Sequence, residues 1–576
     1  MAKEKSAGSS LPGISRGQGE NQRPNIILVV IDALRAENVG VYSGVEDQTP
    51  HMDTLARQGV LFENAFSAWN TTDQSLTTIF SGRFPRTHGI IHHGDRVTSE
   101  DVDIFQNLNL PWLPEVLRQQ GYKTMAVDWM GRWQKKGFDY YGYKLKRNIF
   151  SQIFYSLVTL PYLHLRYMAA NIGLLRIYAR KREASFSSMW KGLRGVLKTF
   201  AFTFQLARVQ DAGFVTTLAQ ELIRENKKKP FFLFLHYWDT HSPYNCPRKF
   251  LKKKKGKGDA KEMLELKYRG AVRYVDKQIG RLLEEIKAAD ILENTWIIIT
   301  SDHGESLTEH QIYFDHHGLY DVTTRVPLIF YYPRLFSPHK RIEAMVQHVD
   351  FVPTVCEVLG VECGGSGFDG QSLMPLIGEQ KKEIRPYVFN EESYVQRKIG
   401  LRTKKFKYIY APHDEGWCSY CQRVHGGKEE LYDLESDPEE KDNIVHQDKP
   451  RAVRMREKLD QLIFSLNTKK QRELIRGSIF RLKEEGRLAH GRTTERESAE
   501  MKEKRKSLTR KVTLELPEEL LDEIEKRIQD TEFAATEDYL SHVIQEVVED
   551  RHTGYARDDK EEKKIKKKLR GLGYMD

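Results

Sequence analysis

Three short clusters of acidic and histidine side chains follow apolar runs of the sequence, and these side chains are suited to metal chemistry. Asp32 ends NIILVVID, Asp239 and His241 follow PFFLFLHYW, and Asp302 and His303 follow NTWIIITS. A carboxylate with an imidazole suits Mn²⁺, Zn²⁺ or Mg²⁺ better than a Ca²⁺ site built from oxygens alone. One Asp-His pair is weak evidence, because a capping Asp beside a core His would explain it. Three such clusters together predict a metal centre.

A hydroxyl-rich segment, NTTDQSLTTIFSGRFPRTHG at residues 70–89, offers a nucleophile. Its stretch SLTTIFSGR is predicted to form a short helix that ends at a glycine. A threonine at the start of such a helix faces unpaired N–H groups and the positive end of the helix dipole. Such a threonine acts either as a simple N-cap or as a nucleophile whose hydroxyl is made acidic by a bound metal.

The apolar runs that end in these clusters have the pattern of buried parallel strands. NIILVVI, PFFLFLHY and NTWIIIT show no alternation of polar and apolar residues, and YKTMAVDW is a weaker example. Helical patterns lie between them, at 53–59, 114–121 and 275–290. Strand alternating with helix predicts an α/β fold, a large and mostly parallel sheet sandwiched by helices. Ligands bind at the carboxyl ends of the strands in such sheets, so the three clusters are expected to converge.

The composition is that of a folded and highly charged protein. The chain has 576 residues, 39% hydrophobic and 30% charged, which is enough apolar material for a large core. Five scattered cysteines are too few for a disulfide scaffold and predict a reducing compartment. The net charge of +10 comes from 91 basic and 81 acidic residues, so it favours a solvated basic surface. Without an apolar signal segment or a clear transmembrane run, the protein is predicted to be cytoplasmic.

An ordered series of motifs resembles the sulfatases. The series runs PNIILVVIDALRAENVGVYSG, TPHMDTLARQGVLFENAFS, SGRFPRTHGI and LPEVLRQQGYKTMAV, then HYWDTHSPY, SDHGE, LYDVTTRVPLIF, HVDFVPTV, DGQSLMPLI and ELYDLESDPEEKDNI. It covers roughly residues 24–145 and 205–465. The resemblance implies the alkaline-phosphatase-like superfamily, and with it a metal-assisted hydrolase or transferase that acts on sulfate or phosphate esters.

The resemblance also shows where this chain departs from the sulfatase pattern. Two adjacent acids begin that pattern, and here they are Asp32 and Ala33. The nucleophile position, counted back from SGR, is Thr72, whereas sulfatases carry a Cys or Ser there that is oxidised to formylglycine. The Pro and Arg that follow in the family are replaced by Gln74 and Leu76. We therefore do not expect formylglycine. A Thr nucleophile is similar to the phosphodiesterase, phosphonate-hydrolase and phosphoglycerol-transferase branches of the superfamily.

The resemblance implies roles for the polar clusters. One divalent metal (Mn²⁺, Zn²⁺ or Ca²⁺) is expected on Asp32, Thr72, Asp302 and His303, with Thr72 Oγ attacking to give a phospho- or sulfo-enzyme. We expect two histidines to donate hydrogen bonds or protons to the ester oxygens or the leaving group. These are His241 and one of His316 and His317, with His317 preferred. As an alternative, Asp239, His241, His316 and His317 form a second metal site or a leaving-group site.

A cysteine motif near the end of the sulfatase-like region is a second candidate metal site. The segment PHDEGWCSYCQRVHGG places His413 and His425 around Cys418 and Cys421. Two Cys and two His are ligands of structural Zn²⁺. Reduced loop cysteines explain the same pattern, because a single CxxC without a second is a moderate signal.

The C-terminal part resembles a ribbon-helix-helix unit, with one strand and two helices in TRKVTLELPEELLDEIEKRIQDTEFAATEDYLSHVIQEVV. Its exposed strand face would be Lys511, Thr513 and Glu515, and a glutamate there repels phosphate. We therefore expect homodimerisation through the strand rather than DNA binding.

The sequence predicts six parts in order along the chain. They are a disordered N-terminus (1–23), a sulfatase-like catalytic domain (24–394) with a helical, apolar and basic insertion (130–210), an α+β subdomain with the CxxC (395–466), a charged helical linker (467–508), the ribbon-helix-helix-like dimerisation module (509–550) and a basic helix (551–576).

Three functions are compatible with these parts. The main prediction is a hydrolase or transferase of an anionic ester carried by a small molecule, a glycan or a lipid-linked substrate. A second is a membrane-peripheral phosphoglycerol- or phosphoethanolamine-type transferase that uses the apolar and basic residues 149–178 to reach a lipid-linked substrate. A third is a DNA-associated or dimeric regulatory protein with a degenerate hydrolase domain, which the complete set of acids, histidines and Thr72 argues against.

Overall fold

The computed structural model describes residues 23–484 apart from 46, 109, 143–210, 245, 252–259, 364–366, 394–396 and 413–424. The predicted N-terminal segment, most of the predicted insertion, and the modules at 509–550 and 551–576 lie outside the described residues. In the described part the strands are β1 Asn25–Ile31, β2 Val60–Phe66, β3 Lys123–Val127, β4 Tyr140–Gly142, β5 Phe231–Tyr237, β6 Thr295–Thr300, β7 Arg325–Val326, β8 Leu328–Tyr331, β9 Lys340–Gln347, β10 Tyr387–Glu392, β11 Lys398–Thr403, β12 Phe406–Tyr410 and β13 Glu429–Asp433. The α-helices are α1 Gly40–Ser43, α2 Pro50–Arg57, α3 Thr72–Ser81, α4 Pro85–His88, α5 Ser99–Asn107, α6 Leu113–Gln119, α7 Ala212–Asn226, α8 Ala260–Ala288, α9 Asp321–Thr324, α10 Phe351–Leu359, α11 Met374–Ile377 and α12 Lys449–Glu484.

A mixed sheet of nine strands forms the centre of the fold. The order is β4-β3-β5-β1-β6-β8-β2-β7, and β9 pairs with β2. The strand β1 lies between β5 and β6 and is parallel to both, with Val30 opposite His236 on one side and Thr300 on the other. The carboxyl ends of these three strands therefore lie next to one another. The predicted mostly parallel α/β sheet is confirmed, with β8 and β7 as antiparallel members.

Both faces of this sheet are covered by helices, which explains why its strands are apolar throughout. Ile26, Leu28 and Val30 of β1 pack into a core that also contains residues of α3, α6 and α10. Ile27 and Val29 face the opposite core, to which α2, α7 and α8 contribute. A strand buried on both faces does not show the alternation of polar and apolar residues that half-exposed strands have.

A second, antiparallel sheet has the order β10-β11-β12-β13 and packs against α12. It begins at Tyr387, ahead of the predicted boundary at 395, and β10 pairs with β11 over its whole length. The helix α12 runs through the predicted boundary at 467 without a break as far as Glu484. Residues 140–142 belong to the large sheet and not to a helical insertion, because β4 pairs with β3.

Cys356 and Cys363 are joined in a disulfide, with their Cα atoms 6.0 Å apart. The sequence predicts a reducing compartment and no disulfide scaffold. The chain reverses at Gly360, which has a φ of 62° and ends α10, so residues seven apart in sequence come together. In the part of the chain that the structure describes, no helix combines the length and apolar character needed to span a membrane.

Candidate active site

Three buried side chains meet at the carboxyl ends of β1, β5 and β6. Asp32, His236 and Asp302 are each 0% exposed. One ligand atom from each lies within 4.8 Å of the other two, and this is the one such three-residue group in the described ranges. Asp32 Oδ1, Asp302 Oδ2 and His236 Nε2 have no hydrogen-bond partner. Buried polar atoms without partners are costly, so this donor set fits a bound divalent cation.

The Asp32 and Asp302 carboxylates are fixed by the chain that follows each strand. The chain turns sharply after Asp32, where Ala33 takes a left-handed conformation with a φ of 55°. This turn directs the Ala33 N–H toward Asp302 Oδ1, to which it donates at 3.1 Å, and the N–H of His303 donates to the same oxygen at 2.9 Å. The other oxygen, Oδ2, has no hydrogen-bond partner. At the position where sulfatases have a second acid, this chain uses the backbone of Ala33 to orient Asp302.

His236 was missed in the sequence analysis, although it is the polar exception in the apolar strand FFLFLHY. Its Nε2 lies 3.7 Å from Asp32 Oδ2. Its Nδ1 lies 3.1 Å from a carboxylate oxygen of Asp128, which follows β3. A carboxylate on one ring nitrogen fixes the orientation and tautomer of a histidine that binds metal through the other. The indole nitrogen of Trp238 also lies 3.1 Å from Nδ1.

Thr72 is the first residue of α3 and is almost completely buried. Its Oγ donates a hydrogen bond to Asp32 Oδ2 at 3.3 Å. The ten-residue helix α3 directs its positive end toward this position. Thr72 therefore lies beside Asp32, and its roles as metal ligand and nucleophile stay predictions.

Three of the predicted histidines lie near the acids, and Nδ1 of each donates a hydrogen bond to a backbone carbonyl. Nδ1 of His303 donates to the carbonyl of Gly304 at 2.8 Å, and Nδ1 of His241 donates to that of Ser242 at 2.8 Å. His316 donates in the same way to Asn70 at 2.6 Å. Each ring therefore presents the lone pair of Nε2. Burial lowers the pKa of all three, so they are neutral at pH 7.

The remaining predicted site residues occupy the border of this group. The ring of His316 lies 4.3 Å from that of His303 and 6.0 Å from that of His241. The Nδ1 of His317 lies 3.5 Å from a carboxylate oxygen of Asp315, and its ring packs on that of His425 at 5.2 Å. Asp239 is fully buried. The structure brings these histidines together, but the predicted second metal set does not meet the three-ligand geometry among the described residues.

The predicted zinc site falls largely outside the described residues. His413, Cys418 and Cys421 belong to the segment 413–424, of which nothing is described. His425 is buried, and its Nδ1 donates to the carbonyl of His310 at 3.1 Å. The Cys₂His₂ site therefore stays a prediction.

Comparison with known proteins shows what kind of protein carries this site. The sulfatase family model matches residues 24–361, more than half of the chain, and the model of the C-terminal region of N-sulphoglucosamine sulphohydrolase matches residues 308–469. The chain belongs to the sulfatase family. The predicted family, the alkaline-phosphatase-like fold and a sulfatase-like hydrolase are thereby confirmed, and sulfatases generally bind a divalent metal.

Individual sulfatase relatives are distant in sequence but cover most of the chain. It is 24% identical over 497 residues to an N-acetylglucosamine-6-O-sulfatase of Bacteroides thetaiotaomicron, a match that covers 74% of this chain and 83% of the relative. It is 24% identical over 482 residues to an arylsulfatase of Clostridium perfringens, covering 74% and 90%. The structure of the phosphonate monoester hydrolase of Agrobacterium radiobacter matches with a TM-score of 0.53 at 19% identity, over 78% of this chain and 96% of that one.

Asp32→Asn is expected to stabilise the metal-free sulfatase and to abolish its stabilisation by cations. Burial and the Asp302 carboxylate raise the pKa of Asp32, so the metal-free protein loses stability as pH rises from the ordinary carboxyl pKa to this raised pKa. The amide removes this cost. Thermal unfolding midpoints with chelator and with Mn²⁺, measured from pH 5 to 8, would show a higher midpoint and a flatter pH profile for the chelated variant. A lower midpoint with chelator would instead mean that Asp32 is a structural residue.

Proposed function

We propose that the protein hydrolyses a sulfate or phosphate ester with Thr72 Oγ as the nucleophile. The observation that carries this proposal is the position of Thr72, whose buried hydroxyl lies 3.3 Å from Asp32 Oδ2 at the first turn of α3. The positive end of the helix favours the negative charge that develops on Oγ and on the transferred group.

Asp32, Asp302 and His236 would hold the proposed cation. Thr72 and His303 are neighbours of these residues. His303 Nε2 lies 3.4 Å from Asp302 Oδ2 and has no hydrogen-bond partner, so it is a further ligand candidate, as the sequence predicted. Mixed carboxylate and imidazole donors suit Mn²⁺ or Zn²⁺. When bound, such a cation supplies Lewis-acid polarisation of the ester and lowers the pKa of the hydroxyl.

The chain's own groups account for the proton transfers. Thr72 Oγ attacks the sulfur or phosphorus atom, and the bond to the leaving oxygen breaks. The Asp32 carboxylate is placed to take the hydroxyl proton of Thr72. The leaving oxygen takes a proton from solvent or from an imidazole that has gained one. In the second half, the Nε2 lone pair of His316 or His241 can accept the proton of the water that cleaves the Thr72 ester, and Asp32 returns its proton to the released Thr72 Oγ.

Formylglycine does not fit this proposal, for a chemical reason. The hydroxyl of threonine is on a carbon that also bears a methyl group. Oxidation at this carbon would give a ketone and not the aldehyde of formylglycine. A chain with Thr72 at the nucleophile position therefore needs a covalent ester intermediate, or a direct attack by water.

The substrate proposal follows from the relatives and the site. The relatives are named as sulfatases of N-acetylglucosamine 6-O-sulfate and of aryl sulfates, and the structural neighbour as a hydrolase of phosphonate monoesters. An anionic sulfate or phosphate ester is common to these. Transfer to an alcohol instead of water would use the same Thr72 ester. The segments on which the membrane-peripheral and DNA-associated alternatives depend, 149–178 and 509–550, lie outside the described residues.

The test is parallel turnover of an aryl sulfate, an aryl phosphate monoester and a methyl aryl phosphate diester by the full chain. The protein is first stripped with chelator and then given Mn²⁺, Zn²⁺ or Ca²⁺. We expect turnover that requires an added cation. We also expect an intact mass equal to that of the encoded sequence, with an unmodified threonine at position 72. Turnover of none of the esters with any cation would reject the proposal, and a modified residue at position 72 would reject the nucleophile.

A further inference from the structure

Asp73, the residue after the proposed nucleophile, connects two loops beside the site. It is 0% exposed, and it accepts a hydrogen bond from Arg132 Nη2 at 2.6 Å. His93 Nδ1 lies 3.1 Å from the same carboxylate oxygen, and the Gly94 N–H donates to it at 2.8 Å. Gln134 donates to the other oxygen at 3.2 Å. The buried Asp73 carboxylate thus holds the Arg132 guanidinium and the His93 imidazole next to α3.

The two side chains held by Asp73 face outward, whereas Asp73 does not. The side chain of Arg132 is 37% exposed and that of His93 is 22% exposed, against 0% for Asp73. The guanidinium is fixed a second time, because Arg132 Nη1 donates to the carbonyl of Gly94 at 2.9 Å. It also lies over the ring of Trp133, 4.5 Å from the centroid. Arg132 is therefore preorganised, and a ligand would not have to order it.

Asp73 directly follows Thr72 at the start of α3, so Arg132 and His93, which contact its carboxylate, lie next to the proposed nucleophile. Thr72 and His303 are buried, while Arg132 and His93 are partly exposed. The direction from the nucleophile toward solvent is the direction in which a leaving group must extend.

We infer that Arg132 and His93 form a second anion-binding subsite, and that the preferred substrate is an ester whose leaving group carries a further negative charge. This inference rests on the proposed function for the ester that is cleaved. Buried carboxylates and neutral histidines surround the scissile group, so they offer no fixed positive charge for another anion. A planar guanidinium that is held in place matches sulfate, phosphate and carboxylate oxygens.

The experiment compares two aryl esters that differ only by a sulfonate on the ring of the leaving group. Hydrogen bonds to charged groups correspond to about tenfold or more in affinity, so we expect wild type to favour the sulfonated ester by about tenfold or more in kcat/KM, mainly through KM. Arg132→Gln should reduce this ratio to within about twofold of one, and His93→Gln should reduce it in part. A wild-type ratio near one, or a ratio that Arg132→Gln leaves unchanged, would overturn the inference.

Lys136→Gln is the matched control for the loss of a positive charge from the same loop. It removes the ion pair of Lys136 with Glu115, 3.0 Å long, and leaves the contacts of Arg132 with Asp73 and Gly94 in place. This variant should keep the wild-type ratio, and a ratio lost equally in Lys136→Gln would assign the effect to the loop and reject the subsite.

A binding measurement separates this inference from the proposed function. The sulfonated phenol, which lacks the ester, is titrated calorimetrically into the full chain. We expect binding that Arg132→Gln weakens about tenfold or more, even if neither ester is turned over. Lack of turnover with Arg132-dependent binding would count only against the proposed function. Binding that is absent, or equal in both proteins, would count against the subsite.

Discussion

Thr72→Ala is expected to lower kcat/KM for the preferred ester by about a thousandfold or more, whereas Thr72→Ser should retain substantial activity. Loss of a catalytic nucleophile commonly costs this much or more, because the oxygen that forms the covalent intermediate is gone. Serine keeps that oxygen in a side chain that α3 and Asp32 still position. Initial rates at saturating cation, with KM and kcat separated, measure the effect.

Thr71→Ala is the matched control, because Thr71 is the neighbouring buried hydroxyl. Its Oγ donates to Gln74 Oε1 at 2.6 Å and does not contact Asp32 or Asp302 in the contacts described. We expect Thr71→Ala to lower activity far less than Thr72→Ala does. Acid-quenched wild type should also carry a sulfo or phospho group on a peptide that contains Thr72. Activity that survives in Thr72→Ala would show that the nucleophile is another group.

The part of the site that could be predicted from sequence is the part that depends on single strands. A long apolar run that ends in an acid is a buried strand with its polar group at the carboxyl end, so Asp32 and Asp302 were identifiable separately. The predicted strands at NIILVVI, FFLFLHY and TWIIIT are β1, β5 and β6. Their convergence was predictable because ligand-binding residues in parallel sheets lie at the carboxyl ends of the strands. Strand β1 lies between β5 and β6 and is parallel to both.

The part that could not be predicted depends on pairing between distant segments. His236 shares its strand with the apolar residues Phe232 and Phe234, and only the proximity of Asp32 and Asp128 distinguishes it from a core histidine. Asp128 directly follows β3, whose place beside β5 is not encoded in its local pattern. The role of Asp73 depends likewise on loops 20 and 59 residues later in the chain.

Lys398→Met is expected to lower the free energy of unfolding by about 3–5 kcal/mol, the cost of leaving a buried charge without its partner. Lys398 Nζ lies 2.5 Å from Glu430 Oε1, and the two side chains are 1% and 0% exposed. Tyr320 and Tyr432 each donate to Glu430 Oε2 at 2.7 Å. Tyr320 follows the site histidine His316 by four residues, so this pair connects the second sheet to the segment that carries the site. Chemical or thermal unfolding of the full chain measures the loss.

Two further variants test whether burial, and not charge pairing alone, sets the size of this effect. Lys405 pairs with Glu435 in the same sheet, but both side chains are 60% exposed, so Lys405→Met should change stability little. The double variant Lys398→Met with Glu430→Gln should regain part of the loss, because the uncompensated charge is gone while the tyrosine donors keep an acceptor. Equal losses for Lys398→Met and Lys405→Met, or no recovery in the double variant, would contradict the view that a buried charge pair fixes the second sheet against the segment at 316–320.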